Sequence, residues 1–354
     1  MKTYGVIMAG GGGTRFWPLS RKQTPKQLLN LSGHDFMVNE AIERLARVAD
    51  FKDIFIVTNS SQKAAMLDIV DKRILIDHIL SEPAARNTSA CIGYAAMEIL
   101  KKYGDGIMVI TPSDAYIKNA DNFVEVLEIA IGAAESTGKL ITIGIQPTFP
   151  ATGYGYIKYS NVSAKTKPVT KFVEKPDEKT AIKYLTSGNY VWNSGIFVWK
   201  ASVILEKFKK LLPEVYLYLE KISKAFGQSD ETLQIEKLYP LIPAISVDYG
   251  IMEKSDDILV VPGDFGWNDV GSWDMFNVLH KEDIDGNIKI GDALTVNSKN
   301  SIIYSSGKLI ATIGVENLIV VETADAIMVC AKDKAQDVKK IVEELKARGR
   351  EELL

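Results

Sequence analysis

Four consecutive glycines directly after an apolar segment constrain this chain more than any other feature. The segment Tyr4–Met8 is apolar enough to form a first β-strand, and after one alanine come Gly10, Gly11, Gly12 and Gly13. Glycine tolerates positive φ angles and lets the backbone approach a ligand closely. Arg15 and Lys26 follow, and backbone N–H groups combined with fixed cations favour a polyanion. The segment therefore predicts a loop that binds several linked phosphates, with a flexible glycine turn as the simpler alternative.

The order of residues excludes the two commonest phosphate-binding loops. A Walker loop requires Gly-x-x-x-x-Gly-Lys-Ser/Thr, which the chain lacks. A dinucleotide loop requires Gly-x-Gly-x-x-Gly. Started at any of the four glycines, that pattern has a non-glycine residue at its sixth position, namely Arg15, Phe16, Trp17 or Pro18. The loop must therefore belong to another class of phosphate-binding protein.

Strand-like and helix-like segments alternate through the first part of the chain. The strand-like runs are Gly5–Met8, Ile54–Thr58, Arg73–Leu80, Gly106–Thr111 and Leu140–Ile145. Segments 38–48, 88–103 and 123–134 instead repeat apolar residues at three- and four-residue spacing, as helices do. This alternation predicts a doubly wound α/β sheet, in which ligands bind at the carboxyl ends of the strands. The glycine loop, Glu82 and Asp114 all follow strand-like runs, so we expect them to converge.

The later part of the chain is more mixed and predicts a second, smaller unit. Strands are expected at Tyr154–Tyr159, Val169–Val173 and Gly195–Lys200. A polar, turn-rich stretch near residues 281–291 predicts a boundary between a large domain, residues 1–280, and a small β-rich module, residues 281–354. Short β runs fill this module, and an amphipathic helix ends it.

Composition and charge restrict the classes of partner. The chain has 354 residues, of which 46% are hydrophobic and 25% charged, with a net charge of −3. That balance argues against nucleic acid or an anionic membrane as a general partner, since both attract basic surfaces. Cys91 and Cys330 lie in apolar contexts and are expected to be reduced thiols. No leader or membrane-spanning segment is apparent, so a cytoplasmic location is expected.

Several motifs in order resemble a known enzyme family. Ala9-Gly-Gly, Thr14-Arg15 and Pro25-Lys-Gln27 resemble the signature of the sugar-1-phosphate nucleotidylyltransferases. The longer form Gly-Gly-Gly-Thr-Arg-Phe-Trp-Pro-Leu-Ser resembles the mannose-1-phosphate guanylyltransferase branch, and further motifs continue the resemblance to about residue 280. The resemblance implies a Rossmann-like catalytic domain with a mixed sheet, and a C-terminal module compatible with a left-handed β-helix. It also implies transfer of GMP from GTP to mannose 1-phosphate, with Mg²⁺ as cofactor.

Candidate groups for the metal and the phosphates follow from chemistry and from this resemblance together. Magnesium takes carboxylate and phosphate oxygens, and Asp114 and Asp269 match the family's two metal-binding aspartates. The resemblance assigns Arg15 and Lys26 to the β- and γ-phosphates and Lys175 to the phosphate of the sugar. The simpler alternatives are turn-capping aspartates and solvated surface cations.

Candidate groups for the base and the sugar lie in other motifs. The nucleotide is expected to contact the four glycines and Thr14, and its guanine the polar residues Glu82, Arg86, Asn87 and Thr88. Asn87 or Thr88 could instead, or in addition, cap the helix that starts there. The resemblance assigns the sugar to Glu174 and Asn193, and Gly153, at the start of a strand, would let the backbone come close to the sugar ring. Asp248 is a weaker candidate, and Tyr154 and Tyr156 are equally well explained as packing residues.

One position departs from the resembled branch. Members commonly have histidine after Pro-Ser-Asp, where this chain has Ala115. The sugar and metal preference is thereby less defined, and two other functions stay open. The first is the same chemistry with another nucleotide or hexose 1-phosphate, such as UTP with glucose 1-phosphate. The second is a non-catalytic nucleotide-sugar sensor, which the retained ligand residues disfavour. The apolar module suggests a homodimer.

Overall fold

A nine-stranded mixed sheet forms the centre of the computed structural model, which describes all 354 residues. Its strands are β1 (Thr3–Ala9), β2 (Ile54–Asn59), β3 (Ile79–Glu82), β4 (Ile107–Pro112), β6 (Leu140–Ile145), β7 (Tyr156–Tyr159), β8 (Lys167–Val173), β9 (Tyr190–Lys200) and β10 (Ile258–Gly263). They lie in the order β3-β2-β1-β4-β9-β6-β10-β8-β7. β1 pairs in parallel with both β2 and β4, whereas β9 runs antiparallel to β4 and β6. A short antiparallel pair, β5 (Tyr116–Ile117) with β11 (Trp267–Asn268), lies outside this sheet.

Helices cover both faces of the sheet, which confirms the predicted doubly wound α/β fold. They are α1 (Met37–Leu45), α2 (Lys63–Ile69), α3 (Asn87–Lys102), α4 (Ala120–Thr137), α5 (Glu178–Ser187), α6 (Ala201–Leu211), α7 (Pro213–Ser223), α8 (Glu231–Leu238), α9 (Val247–Gly250) and α10 (Phe276–Leu279). Side chains alternate across β1: Tyr4 and Val6 join a core that contains α3, whereas Ile7 and Ala9 join one that contains α1 and α4. Burial on both faces explains why β1 is apolar throughout rather than alternating.

A parallel β-helix follows α10 and confirms the expected β-helix-like C-terminal module. Its strands are β12 (Ile288–Ile290), β13 (Ala293–Val296), β14 (Ile302–Ser305), β15 (Ile310–Ile313), β16 (Leu318–Glu322) and β17 (Ile327–Ala331), and α11 (Val338–Ala347) follows. β12, β14 and β16 stack in parallel on one face, β13 and β15 on a second, and a Lys299–Glu316 bridge marks a third. The turns between these strands contain three asparagines with positive φ, Asn297, Asn300 and Asn317. Asparagine tolerates this conformation better than most residues.

A third hydrophobic core joins the module to the glycine loop. Phe16, from a 3-10 turn at Thr14–Phe16, packs in one cluster with Trp273 and with Val338 of α11. The rings of Phe16 and Trp273 lie 5.5 Å apart between centroids. Ile302 and Ile319, from the inner face of the β-helix, belong to the same cluster. The large domain and the module are therefore packed together behind the phosphate-binding loop.

Two predicted strands differ by several residues from those observed, whereas Tyr154–Tyr159 and Val169–Val173 differ by two residues at their first position. Arg73–Leu80 was expected to be one strand, but β3 begins only at Ile79, and the preceding residues form turns that leave Ile76 68% exposed. β9 begins at Tyr190 rather than at Gly195, because Gly195 continues the strand with a φ of +72°. Gly195 lies inside β9, where the register against β6 shifts.

None of the helices combines the length and the apolar character needed to cross a bilayer. Cys91 is buried, Cys330 is partly buried, and neither forms a disulfide.

Candidate active site

One cavity of about 740 Å³ opens at the carboxyl ends of the parallel strands and collects nearly all predicted site residues. Those that line it are Gly10, Gly11, Gly13, Thr14, Arg15, Lys26, Glu82, Arg86, Asn87, Thr88, Asp114, Gly153, Glu174, Lys175, Asn193 and Asp269. Gly12 is the predicted residue that does not line the cavity. The convergence expected from the strand ends is therefore present, although these residues are spread over most of the sequence.

The glycine loop is held in place from behind. Gly13 has a φ of +59°, and a Cβ added to it would lie 2.3 Å from the Cβ of Lys26, so only glycine fits here. The buried Gln27 amide donates to the carbonyl oxygens of Ala9 and Gly11 at 2.7 and 3.0 Å. These bonds use the loop carbonyls and leave its N–H groups for a ligand. Gln27 lies in the recognised Pro-Lys-Gln motif, but the sequence alone assigned it no role.

Lys26 lies between the two predicted metal ligands. Its buried ammonium group donates to the backbone oxygen of Asp114 at 2.9 Å, to Asp114 Oδ2 at 3.0 Å and to the backbone oxygen of Asp269 at 2.6 Å. An ammonium group has three N–H bonds, so all of its donors are used. Lys26 thus holds the Asp114 and Asp269 loops together across the sheet edge.

The Asp269 loop is strained and tightly supported. Val270, directly after Asp269, has a φ of +43°, which is a rare conformation for a β-branched residue. Its N–H donates to Asn268 Oδ1 at 2.7 Å, and its side chain is buried in the core shared with the module. Backbone strain of this kind persists where the surroundings over-determine it, and it concentrates at functional sites.

The two aspartates provide the type of donor that a hard divalent cation requires. Asp114 and Asp269 present carboxylate oxygens to the same cavity, and no cluster of three or more His, Cys, Asp or Glu side chains capable of holding a metal occurs in the chain. Two carboxylates, with phosphate oxygens completing the shell, suit magnesium. Asp269 Oδ1 also accepts a hydrogen bond from Tyr154 Oη at 2.6 Å. Tyr154 therefore orients a candidate ligand, a role that the sequence did not distinguish from packing.

A second polar group in the cavity, around Glu174 and Asn193, is partly unsatisfied. Glu174 is largely buried, its Oε1 lies 3.3 Å from Lys175 Nζ, and its Oε2 has no hydrogen-bond partner. Burial, reinforced by the charge of Asp248, raises the pKa of Glu174. Asn193 Nδ2 donates to Asp248 Oδ1 at 2.8 Å. Gly155, whose added Cβ would lie 2.4 Å from Glu174 Oε2, leaves room for this arrangement.

Lys175 is a cation on a constrained loop. Its φ of +46° is unusual for a residue with a side chain, and Pro176 follows it. The side chain is 59% exposed, so the ammonium group can reach a ligand at the mouth of the cavity.

Glu82 is a buried carboxylate at the end of β3. Tyr239 Oη donates to Glu82 Oε1, and burial raises the pKa of Glu82 to about 7. A Cβ on Gly10 would lie 2.9 Å from Glu82 Oε2, so the glycine loop passes directly beside this carboxylate. Tyr239 was not predicted, because it lies in an ordinary apolar segment far along the chain.

The other residues predicted to contact the base, Arg86, Asn87 and Thr88, form hydrogen bonds within the protein. Arg86 Nη2 donates to the backbone oxygen of Pro240, while its Nε is buried without a partner. Thr88 Oγ1 accepts from the N–H of Val247 at 2.9 Å, which ties α3 to α9. Asn87 adopts a φ of +64°, and its Oδ1 accepts from the Thr88 N–H. The residue before α3 is Arg86, whose side chain makes no capping bond, so neither Asn87 nor Thr88 occupies the N-cap position.

Ala115, the departure from the resembled branch, is buried and lines the cavity, and its backbone oxygen accepts from Arg44 Nη2 at 3.0 Å.

Comparison with known proteins agrees with this geometry. Residues 4–286 match the nucleotidyl transferase family, and residues 291–345 match the mannose-phosphate isomerase/GMP-like β-helix domain. The mannose-1-phosphate guanylyltransferase of Escherichia coli K12 is 38% identical over 359 residues, which cover 99% of this chain and 75% of that protein. The chain belongs to the mannose-1-phosphate guanylyltransferase family of nucleotidyl transferases.

Other members and a solved structure extend this family assignment. The xanthan biosynthesis protein XanB of Xanthomonas campestris is 40% identical over 348 residues, covering 98% of this chain and 74% of that protein. A crystal structure from Thermus thermophilus, described as a mannose-1-phosphate geranyltransferase, superposes with a TM-score of 0.89 at 32% identity. It covers 98% of this chain and all of that one, so the large domain and the module both belong to the shared fold. Membership of the family makes this chain a nucleotidyl-transferring enzyme.

Proposed function

We propose that this chain transfers GMP from GTP to α-D-mannose 1-phosphate with Mg²⁺, forming GDP-mannose and pyrophosphate. The observation that carries the proposal is the single cavity in which a glycine phosphate loop, a buried carboxylate and a partly unsatisfied polar pocket meet. These three regions correspond in number and chemistry to a triphosphate, a base and a sugar. Since GTP is an intracellular metabolite, the proposed reaction also implies a cytoplasmic location.

In the proposed reaction, an oxygen of the sugar phosphate attacks the α-phosphorus of GTP. A new P–O bond forms there while the bond to the β-phosphate breaks, and pyrophosphate leaves on the opposite side. The attacking phosphate is already anionic, so positioning and charge neutralisation are needed more than a proton acceptor. Lys175 would hold the sugar phosphate against the α-phosphorus, and Arg15 with the loop N–H groups would hold the departing pyrophosphate.

Asp114 and Asp269 would hold the Mg²⁺ ion, with Tyr154 orienting Asp269. When bound, the ion supplies charge neutralisation for the phosphate oxygens. Lys26 keeps the two aspartate loops at the same place, so its loss is expected to affect metal and phosphate affinity together.

Carboxylate oxygens in the cavity would recognise both the base and the sugar. Guanine presents N1–H and N2–H donors, and the Glu82 carboxylate offers acceptors for both. The sugar hydroxyls would meet Glu174 Oε2, Asn193 and the backbone near Gly153. A carboxylate at the base position favours guanine over uracil, because the Watson–Crick face of uracil carries only one N–H donor.

The deciding experiment measures pyrophosphate release with Mg²⁺ for GTP, UTP, CTP, ATP and dTTP, each paired with mannose 1-phosphate and glucose 1-phosphate. Strong preference for GTP with mannose 1-phosphate is expected. The variant Asp114→Asn is expected to lose turnover, whereas Asp264→Asn, an exposed aspartate outside the cavity, should keep it. Preference for another pair would overturn the substrate assignment, and turnover retained by Asp114→Asn would overturn the metal assignment.

We also propose that the protein forms a homodimer through its β-helix. Large apolar side chains stand exposed on β13, β15 and β17, among them Leu294, Ile313, Ile327 and Val329. Exposed apolar side chains on paired strands such as β13 and β15 are typical of association sites, and a second copy presents a matching surface by symmetry. Light scattering coupled to size exclusion tests the proposal, and the variant Ile313→Lys is expected to yield monomers. A wild-type protein that elutes as a monomer at micromolar concentration contradicts it.

A further inference from the structure

Helix α11 lies beside the phosphate-binding loop although it belongs to the C-terminal module. Val338, the first residue of α11, is 1% exposed and packs in the same core as Phe16, the last residue of the 3-10 turn that follows the four glycines. The next residue, Lys339, lines the cavity that also contains Gly13, Thr14 and Arg15. The burial of Val338 thus sets the orientation in which Lys339 leaves the helix.

Polar contacts from residues before and after α11 also hold the module against the segment that follows the glycine loop. Gln336 Nε2 donates to Ser272 Oγ at 2.5 Å, close to the Asp269 loop. Trp17 Nε1, just after the 3-10 turn, donates to the backbone oxygen of Leu353 at 2.9 Å. Arg21 and Asp325 form an ion pair at 2.8 Å. The module therefore holds the loop on several sides, and Lys339 is presented on a rigid element.

Lys339 is available for a ligand, whereas its neighbour is not. Lys340 Nζ pairs with Asp337 Oδ1 at 2.8 Å. Lys339 is exposed and forms no ion pair or hydrogen bond. Lys26 already donates all three of its N–H bonds to the Asp114 and Asp269 loops. Arg15 and Lys339 are thus the cations at this end of the cavity that can turn to an anion without breaking an existing bond.

We propose that Lys339 binds the terminal phosphates of the nucleoside triphosphate and the pyrophosphate released from it. The proposal rests on the proposed function and extends it, because it makes the C-terminal module part of the substrate site. A triphosphate carries up to four negative charges. Two unpaired cations beside the glycine loop match that charge better than Arg15 alone.

The test compares Lys339→Ala with the matched control Lys340→Ala, which removes a neighbouring exposed lysine outside the cavity. Lys339→Ala is expected to raise KM for GTP in the forward reaction by about 10-fold, the range of a charge-assisted contact that is partly exposed to solvent. In the reverse reaction it should raise KM for pyrophosphate by a similar factor and leave KM for GDP-mannose unchanged. Lys339→Arg should restore most of the loss, and Lys340→Ala should behave as wild type.

Three outcomes would overturn the inference. Equal kinetics for Lys339→Ala and Lys340→Ala would remove any role for Lys339. A parallel rise in KM for pyrophosphate and GDP-mannose would mean that Lys339 acts through loop structure rather than by contact. If the wild type uses no GTP with any hexose 1-phosphate, the proposed function is wrong, but that result does not decide whether Lys339 binds pyrophosphate. Titration calorimetry of pyrophosphate with Mg²⁺ then decides Lys339 alone, and equal affinity of wild type and Lys339→Ala refutes it.

Discussion

Replacing Glu82 by glutamine tests whether a buried carboxylate reads the base. Burial raises the pKa of Glu82 from 4.5 to about 7 in the folded protein. Below pH 4.5 the carboxyl is protonated in both states and contributes no pH dependence to stability. Between pH 4.5 and 7 the unfolded chain loses its proton first, so the free energy of unfolding falls by about 1.36 kcal/mol per pH unit. Above pH 7 the loss levels off at about 3 kcal/mol.

The Glu82→Gln variant removes this titration while keeping the side-chain shape. We expect the variant to match the wild type near pH 4.5 and to exceed its free energy of unfolding by up to about 3 kcal/mol at pH 8. Urea unfolding at several pH values measures the difference, and the subtraction cancels the titration of Glu174 and Asp248. Parallel pH profiles for the two proteins would refute the raised pKa.

The same substitution should impair the use of GTP. Guanine N–H groups bind the ionised carboxylate, so in the wild type KM for GTP should rise about tenfold per pH unit below pH 7. Inosine triphosphate lacks the 2-amino group, and its KM should be about 10- to 100-fold higher than that of GTP, as expected for a bond to a charged acceptor. Glu82→Gln should lose both effects. Tyr239→Phe removes the hydrogen bond that lowers the pKa of Glu82, so it should move the pH profile upward. Equal use of inosine triphosphate and GTP by the wild type would show that Glu82 does not bind the 2-amino group, and a KM for GTP independent of pH below pH 7 would show that it does not read the base.

Three further predictions concern the phosphates and the metal. Gly13→Ala should lower kcat/KM for GTP by at least about 100-fold and lower Tm, because the added Cβ would lie 2.3 Å from the Cβ of Lys26. Gly12→Ala is the control, because its Cβ would lie 3.9 Å from the nearest atom, and its kcat/KM and Tm should be close to those of the wild type. Tyr154→Phe removes the 2.6 Å bond to Asp269 and should raise the Mg²⁺ concentration for half-maximal activity by about 10-fold, with kcat kept at saturating metal; an unchanged metal titration would contradict this. Lys175→Ala should lower kcat/KM for mannose 1-phosphate by about 10²–10³-fold. A variant that loses only affinity for GTP would show that Lys175 binds the nucleotide rather than the sugar phosphate.

Local pattern predicted most of the sheet but not where strands end. In β6 only Thr142 is polar, and the predicted bounds of this strand are those observed. The failure at Arg73–Leu80 has a physical cause, since Leu75 and Ile76 are apolar but 47% and 68% exposed. Sequence hydrophobicity carries no information about which apolar residues remain at the surface. Only the pairing of β3 with β2 decides that Ile79 begins the strand.

The sequence predicts the site residues that lie in motifs, but it does not predict the residues that orient them from distant parts of the chain. Asp114 and Asp269 follow strand ends within recognisable motifs. The sequence pointed to Tyr154 without distinguishing it from a packing residue. Tyr239 and Lys339 have no local signal, because Tyr239 bonds a partner more than a hundred residues away and Lys339 reaches the cavity from the C-terminal module. Their roles depend on tertiary packing, which periodicity and spacing do not encode.

Lys26 illustrates how geometry refines a motif-based role. The resemblance makes it a phosphate-binding residue, yet its three N–H bonds already reach two backbone oxygens and Asp114 Oδ2. The backbone oxygens have no competing cation, whereas the Asp114 carboxylate is 43% exposed and is itself a candidate metal ligand. The bond to Asp114 Oδ2 is therefore the one that Lys26 can exchange for a phosphate oxygen while the other two keep the ammonium group in place. Because this exchange frees the carboxylate at the same moment as it engages the phosphate, Lys26 would couple the binding of metal and triphosphate, and the two should bind cooperatively rather than independently.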